Sequence, residues 1–145
     1  MLPCNGMAFA PAIAKIHELC FEQPWSEEQF AKLLSLPTCR LWMNENGFLL
    51  CSEVSGEMEI LTICVLPEKR RQHVAEDLLN QLFTYAKSKN IQRIFLEVAK
   101  DNPPAQKLYI KTGFTLSGER KKYYARPNGS VDALCFTKQI KGDIL

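Results

Sequence analysis

The chain predicts an α/β fold, a mixed sheet with helices packed on it. Three observations lead there. Two stretches of helical period open the sequence, three short apolar runs parted by turn residues follow, and after them helical and strand patterns alternate. With 145 residues, 46% of them hydrophobic and 23% charged, residues 1–145 read as one domain with a hydrophobic core. A net charge of +2 is too small to argue for nucleic acid. No apolar run approaches the roughly 18 residues that span a bilayer. Met1–Ala14 lacks a basic start and is interrupted by Pro3 and Pro11, so no secretory leader is read and a cytoplasmic protein is expected.

The elements follow in order. Ala12–Phe21 carries apolar residues at 13, 16, 19 and 20, a helical spacing, with a weak strand expected before it. Ser26 is an N-cap and Gln29 completes a capping box, opening a second helix that ends near Leu34–Leu36, ahead of Pro37. Cys39–Met43, Gly47–Val54 and Met58–Val65, separated by turn residues, read as an antiparallel meander. Gln72–Lys89 is the strongest helix, with Val74, Leu78, Leu79, Leu82, Phe83 and Ala86 on one face. Arg93–Val98 is a short buried-type strand, and Trp42 of the meander reads as strand core. Asn102 caps a helix with Pro103 at its first position, running to about Lys111, with Gly113 just past its end. Phe114–Tyr124 and Val131–Lys138 close the chain as two strands joined by Arg126-Pro127-Asn128-Gly129.

Six cysteines, at 4, 20, 39, 51, 64 and 135, form no Cys-x-x-Cys pair, and several lie in apolar runs. They read as reduced, mostly buried thiols, and the spacing argues against zinc. His17 is assigned to a helix surface or a half-buried place. The segment Val65 to Ala75 is more informative. A strand runs into a turn bearing Lys69, Arg70 and Arg71 and then into a helix start. Unpaired N–H groups, a partial positive charge and added cations make such a place a seat for phosphate or diphosphate.

Val65-x-Pro67-x-x-Arg70-x-x-His73-x-Ala75 resembles the acyl-CoA diphosphate loop of the GNAT superfamily of N-acetyltransferases. Leu96-Glu97-Val98, Asn102, Ala105, Leu108-Tyr109 and Gly113-Phe114 resemble the second half of that fold. Phe21…Pro24-Trp25-Ser26 and Arg120-Lys121-Lys122-Tyr123-Tyr124…Gly129…Asp132-Ala133 narrow the likeness to the RimI-type ribosomal-protein-alanine N-acetyltransferases, over roughly residues 12–138. The resemblance implies a single N-acetyltransferase domain with a mostly antiparallel sheet, helices on both faces and the order β-α-α-β-β-β-α-β-α-β-β. It departs from the pattern at His73, where the family has Gly. If that position needs positive φ, the side chain costs about 1–2 kcal/mol. The imidazole then either turns to solvent or offers a donor to a phosphate.

The resemblance also implies roles. Backbone groups of Ile63, Cys64 and Val65 are expected to bond the pantetheine arm of acetyl-CoA. Arg70, Arg71 and Gln72, with the N–H groups of His73, Val74 and Ala75, are expected to face its diphosphate, and Asn102 to meet the cofactor while capping its helix. Glu97 is the general-base candidate, because partial burial in an apolar strand strengthens a carboxylate as a base. An ion pair with Lys100 or Arg93 is the competing reading. Tyr109 is the general-acid candidate for the leaving sulfur and a cofactor contact, or a tyrosine that packs on the core. Trp25, Tyr123 and Tyr124 are candidates for the acceptor groove, with core packing as the alternative. No metal is expected, and no nucleophile is well placed: Cys64 sits in an apolar strand and no Cys–His pairing can be read.

Acetyl transfer needs a neutral, positioned amine and few protein groups. An α-amine loses its proton near pH 7.7–8.0 against about 10.4 for Lys, which favours a protein N-terminus as acceptor. The expected reaction moves acetyl from acetyl-CoA to such an α-amine by direct attack in a ternary complex. The expected partner is the N-terminal Ala of a ribosomal protein, with neither direct nucleic-acid contact nor membrane contact. Acetylation of a small amine or internal lysine, and a non-catalytic CoA-binding module, stay open.

Overall fold

The computed structural model describes residue 3 and residues 6–140. A six-stranded sheet forms the frame, built from β1 (Cys39–Asn44), β2 (Gly47–Val54), β3 (Glu57–Val65), β4 (Arg93–Ala99), β5 (Thr115–Arg126) and β6 (Gly129–Gln139) in the spatial order β1-β2-β3-β4-β6-β5. Every neighbouring pair is antiparallel except β3 and β4, which run parallel. The helices are α1 (Ala10–Cys20), α2 (Glu27–Leu34), α3 (Val74–Ser88) and α4 (Pro103–Lys111).

Neighbouring residues of β2 divide the core between the two faces of the sheet. Leu49 and Cys51 join Leu78, Leu79 and Leu82 of α3, Ile94, Leu96 and Val98 of β4, and Tyr109 of α4. Phe48 and Leu50 join Ile13 of α1 and Phe30 and Leu34 of α2. Helices therefore cover both faces, α1 and α2 on one and α3 and α4 on the other. Each fully buried Leu or Phe contributes about 1.5–3 kcal/mol by leaving water. Trp42 is buried with the α3 cluster, as expected.

Local chemistry fixes the helix ends. The Ser26 hydroxyl accepts from Gln29 N–H at 3.1 Å and the Gln29 side chain accepts from Ser26 N–H at 2.7 Å, the reciprocal pair the sequence predicts. Asn102 Oδ1 accepts from Ala105 N–H at 3.3 Å and Pro103 takes the first helical position. Gly113 follows α4 with φ +104°, a conformation that suits glycine.

Three expectations need correction. Met7–Phe9 form a short 3-10 turn, and no strand precedes Ala10 among the described residues; the remainder of that expectation falls on residues outside them. The third helix starts at Val74 and not Gln72, because Arg71 (φ 62°) and His73 (φ 65°) both adopt the left-handed conformation. His17 is buried and not at a surface. Its ring stacks on Phe21 and Trp25, and its Nδ1 accepts the Trp25 N–H at 3.1 Å. Cys39, Cys51 and Cys64 are buried free thiols and Cys20 and Cys135 partly buried ones, while Cys4 lies outside the described residues. No helix among the described residues is long and apolar enough to cross a membrane.

The feature that positions the site is where β3 and β4 part. Their pairing covers only Glu57–Ile60 against Arg93–Leu96. Beyond it β3 pairs with β2 alone and β4 with β6 alone, so the facing edges of Leu61–Val65 and Glu97–Ala99 are open. A bulge at the same level, where Leu50 faces Thr62 and Cys51 faces Ile60, turns β3 away from its neighbour.

Candidate active site

A cleft of about 440 Å³ lies between the start of α3 and one face of α4. Val65, Lys69, Arg70, Arg71, His73, Val74 and Ala75 form one wall, and Pro104, Lys107, Leu108 and Lys111 the other. Among the described residues no protein acceptor takes the N–H groups of Arg71 to Glu76. Six consecutive donors beside a helix N-terminus and two arginines make a strong anion seat. Arg70 Nε donates to Val65 O at 3.2 Å, which ties the loop to the end of β3. Gln72 Nε2 donates to Glu68 O at 3.2 Å and is not among the cleft residues. His73 takes the positive φ that glycine would tolerate freely, and its exposed imidazole leans on Glu76, Nδ1 to Oε1 3.2 Å. Glu76 also receives Lys111 Nζ at 2.8 Å, and these two partners, Lys111 first, hold its carboxyl below the usual range.

The second half of the site lies at the open end of β4. Glu97 sits mid-sheet, facing away from the Leu96 and Val98 core, and is largely covered. It pairs with neither Lys100 nor Arg93. Arg120 Nε donates to its Oε2 at 2.7 Å and Cys135 Sγ, opposite it in register, donates to the same oxygen at 3.3 Å. Both donors thus hold one oxygen of the carboxylate. The Tyr124 hydroxyl donates to the Glu97 carbonyl at 3.3 Å, and burial, then the nearby Glu97 charge, pushes the phenol up to about 12. Burial, then Glu97, also raises the carboxyl of Glu59 on β3.

Tyr109 packs in the core, its ring against Phe114 and Phe136, as the packing reading expects. Its hydroxyl has no hydrogen-bond partner among the described residues. Burial first, then the proximity of Cys64 and Tyr124, raises its pKa, so it stays a protonated donor. Tyr124 is therefore bonded to Glu97 and near enough to Tyr109 to act on it electrostatically. The Cys64 thiol is driven upward by burial and is a poor nucleophile.

The acceptor candidates are spread out. Tyr123 is exposed, its ring under the Arg120 guanidinium at 4.3 Å and edge-on to Tyr124 at 5.0 Å. Trp25 lies in the α1–α2 connection, on the sheet face that Glu97 also presents, packed on His17 and Phe30. Ile63 and Cys64 sit on the open stretch of β3 ahead of Val65. Lys107, Lys111, Glu76 and Cys135 are site neighbours that the sequence reading missed. The spacing of Pro104, Lys107, Leu108 and Lys111 along one helical face marks the α4 wall in the sequence. Cys135 becomes visible only with the β4–β6 register.

Comparison with known proteins agrees with this geometry. The family model described as "Acetyltransferase (GNAT) family" matches residues 10–114. The [ribosomal protein bS18]-alanine N-acetyltransferase of Escherichia coli K12 is 29% identical over 134 residues, covering 90% of each chain. A putative enzyme of the same name from Bacillus subtilis is 34% identical over 128 residues, covering 84% of this chain and 83% of its own. The crystal structure of the ribosomal-protein-S18-alanine N-acetyltransferase from Escherichia coli superposes with a TM-score of 0.89 at 26% identity, over 100% of this chain and 97% of that one. The chain belongs to the acetyltransferase (GNAT) family, and the expectation of an acetyl-CoA-dependent N-acetyltransferase holds.

Proposed function

We propose that this protein, acting as one catalytic domain, transfers acetyl from acetyl-CoA to the N-terminal α-amine of a protein, a ribosomal protein beginning with Ala being the acceptor its relatives suggest. The observation that supports the reading is the parting of β3 and β4: Glu97, a covered carboxylate, stands on the open stretch of β4, and Tyr109, a phenol whose pKa burial raises, feels Cys64 on the open stretch of β3, the strand that leads into the anion seat at α3. The residues present fit CoA: the free N–H groups and Arg71 suit a diphosphate, and the open β3 edge offers backbone groups to the amides of pantetheine.

In this mechanism the exposed face beside Glu97 admits the acceptor, with Tyr123 and Tyr124 lining its approach and Trp25 bounding it from the α1–α2 connection. Glu97, directly or through a water, takes the proton of the attacking amine. The nitrogen forms its bond to the acetyl carbon as the bond to sulfur breaks, and Tyr109 gives its proton to the sulfur. The raised pKa of Cys64 favours this direct route over an acetyl-enzyme. Asn102 acts at this site by fixing the start of α4, the helix that carries Tyr109.

The test compares peptides that differ only in a free or blocked N-terminus. Turnover confined to the free α-amine is expected. Turnover of the blocked, lysine-containing peptide would reassign the acceptor, and CoA binding without turnover of any amine would remove the enzymatic role.

A further inference from the structure

Side chains from the two strands beyond β4 converge on Glu97. Cys135, opposite it on the neighbouring β6, donates Sγ to Oε2 at 3.3 Å. Arg120 and Tyr124 come from β5, which β6 separates from β4, and reach across β6 to the same residue. Arg120 Nε donates to Oε2 at 2.7 Å, and the Tyr124 hydroxyl donates to the Glu97 carbonyl at 3.3 Å. A bulge makes this double reach possible. Arg120 faces Ala133 and Tyr124 faces Val131, so residues 121–123 stand against Asp132 alone. Lys122 takes φ 51° and gives its N–H to Asp132 Oδ1 at 2.7 Å, and Lys121 Nζ lies 3.5 Å from Oδ2, which pins the bulge. The bend sets the Tyr123 ring under the Arg120 guanidinium, 4.3 Å away, as a brace.

An exposed ion pair adds little to stability, so the Arg120–Glu97 contact is better understood through orientation. With both donors on Oε2, the carboxylate cannot turn about its Cγ–Cδ bond without losing them. Its Oε1 accepts from none of the described residues. We propose that Arg120 and Cys135 are positioning residues of the acetyl transfer: they hold Oε2 of Glu97 and so present Oε1 to the proton of the attacking amine or to the water that carries it. The proposal rests on Glu97 being the base. It adds two residues that touch no reacting atom and act through the carboxylate.

Steady-state transfer to an alanine-initiated peptide tests it, with CoA affinity from calorimetry as the check on the fold. Arg120→Ala is expected to lower kcat about tenfold with CoA affinity unchanged, and free guanidinium at millimolar concentration is expected to restore part of the loss. Cys135→Ala is expected to lower kcat about threefold, and Cys135→Ser, which returns a donor, to recover most of that loss. In a Glu97→Gln background neither Arg120→Ala nor Cys135→Ala should slow transfer further, because the group they align no longer takes a proton. Losses that multiply in those double variants overturn the positioning role, since the residues then act elsewhere. Wild-type rates for both single variants overturn it too, while leaving Glu97 as the base. A Glu97→Gln enzyme as fast as wild type defeats instead the base assignment on which the proposal rests.

Discussion

At the residue scale, the proposed chemistry depends on two side chains in different surroundings. Tyr109 is enclosed by Phe114 and Phe136 and kept neutral by burial, whereas Glu97 accepts from Arg120 and Cys135. Tyr109→Phe and Glu97→Gln are each expected to slow the single-turnover acetyl transfer by about 100-fold or more with the fold unchanged. Rates within a factor of a few of wild type would remove the assignment. His73 gives a second prediction. A side chain at φ 65° costs about 1 kcal/mol, part of which glycine returns through its freer unfolded chain. His73→Gly should therefore raise stability by roughly 0.5 kcal/mol in urea unfolding, without loss of CoA affinity. A loss of affinity would mean that the imidazole, now resting on Glu76, reaches the ligand when it binds.

Elements place these side chains. The capping box that starts α2 sets the approach of Phe30 and Leu34 to the sheet, so Ser26→Ala is expected to cost about 1 kcal/mol, read as a lower urea midpoint at unchanged slope. That box, the Asn102–Pro103 start of α4 and the meander were all legible in the sequence, because each is encoded by residues close to one another. Of the left-handed pair that delays α3 to Val74, His73 was marked only through the glycine that the resembled family carries there, and Arg71 was not marked at all, because a basic run gives no sign of positive φ. The meeting of Glu97 with Cys135 and Arg120 depends on registers between strands far apart in the chain, which no local pattern reports. His17 escaped for a similar reason. Its neighbours along the chain suggested a surface or half-buried place, but its full burial comes from Trp25, Phe30 and Phe48 folding onto it.

For the molecule as a whole, that histidine links stability to pH. Burial lowers its pKa from 6.5 to about 4. The unfolded chain therefore binds a proton between those values that the native state refuses. The neutral His17 contributes its full stability above about pH 6.5, and this is lost as pH falls toward 4, on the order of 3 kcal/mol in total. Denaturant titrations between pH 7 and 4 are expected to show the decline, and His17→Asn, which keeps an acceptor for the Trp25 N–H, should flatten it. An unflattened decline would assign the loss to other groups. The same molecule-wide view fits the proposed placing of the chemistry at one end of the sheet. The α1–α2 layer covers the first strands, α3 and α4 cover the reverse face, and the face of β4 that bears Glu97 is where the proposal seats the acceptor.

The most direct test of that arrangement is the site of the acetyl group after one turnover. The enzyme is mixed with acetyl-CoA and an alanine-initiated peptide that also contains lysine, and the peptide and the protein are both mapped by tandem mass spectrometry. Acetyl on the peptide α-nitrogen, with none retained on Cys64, is the expected result. Acetyl on a lysine side chain, on the enzyme, or on neither would contradict it.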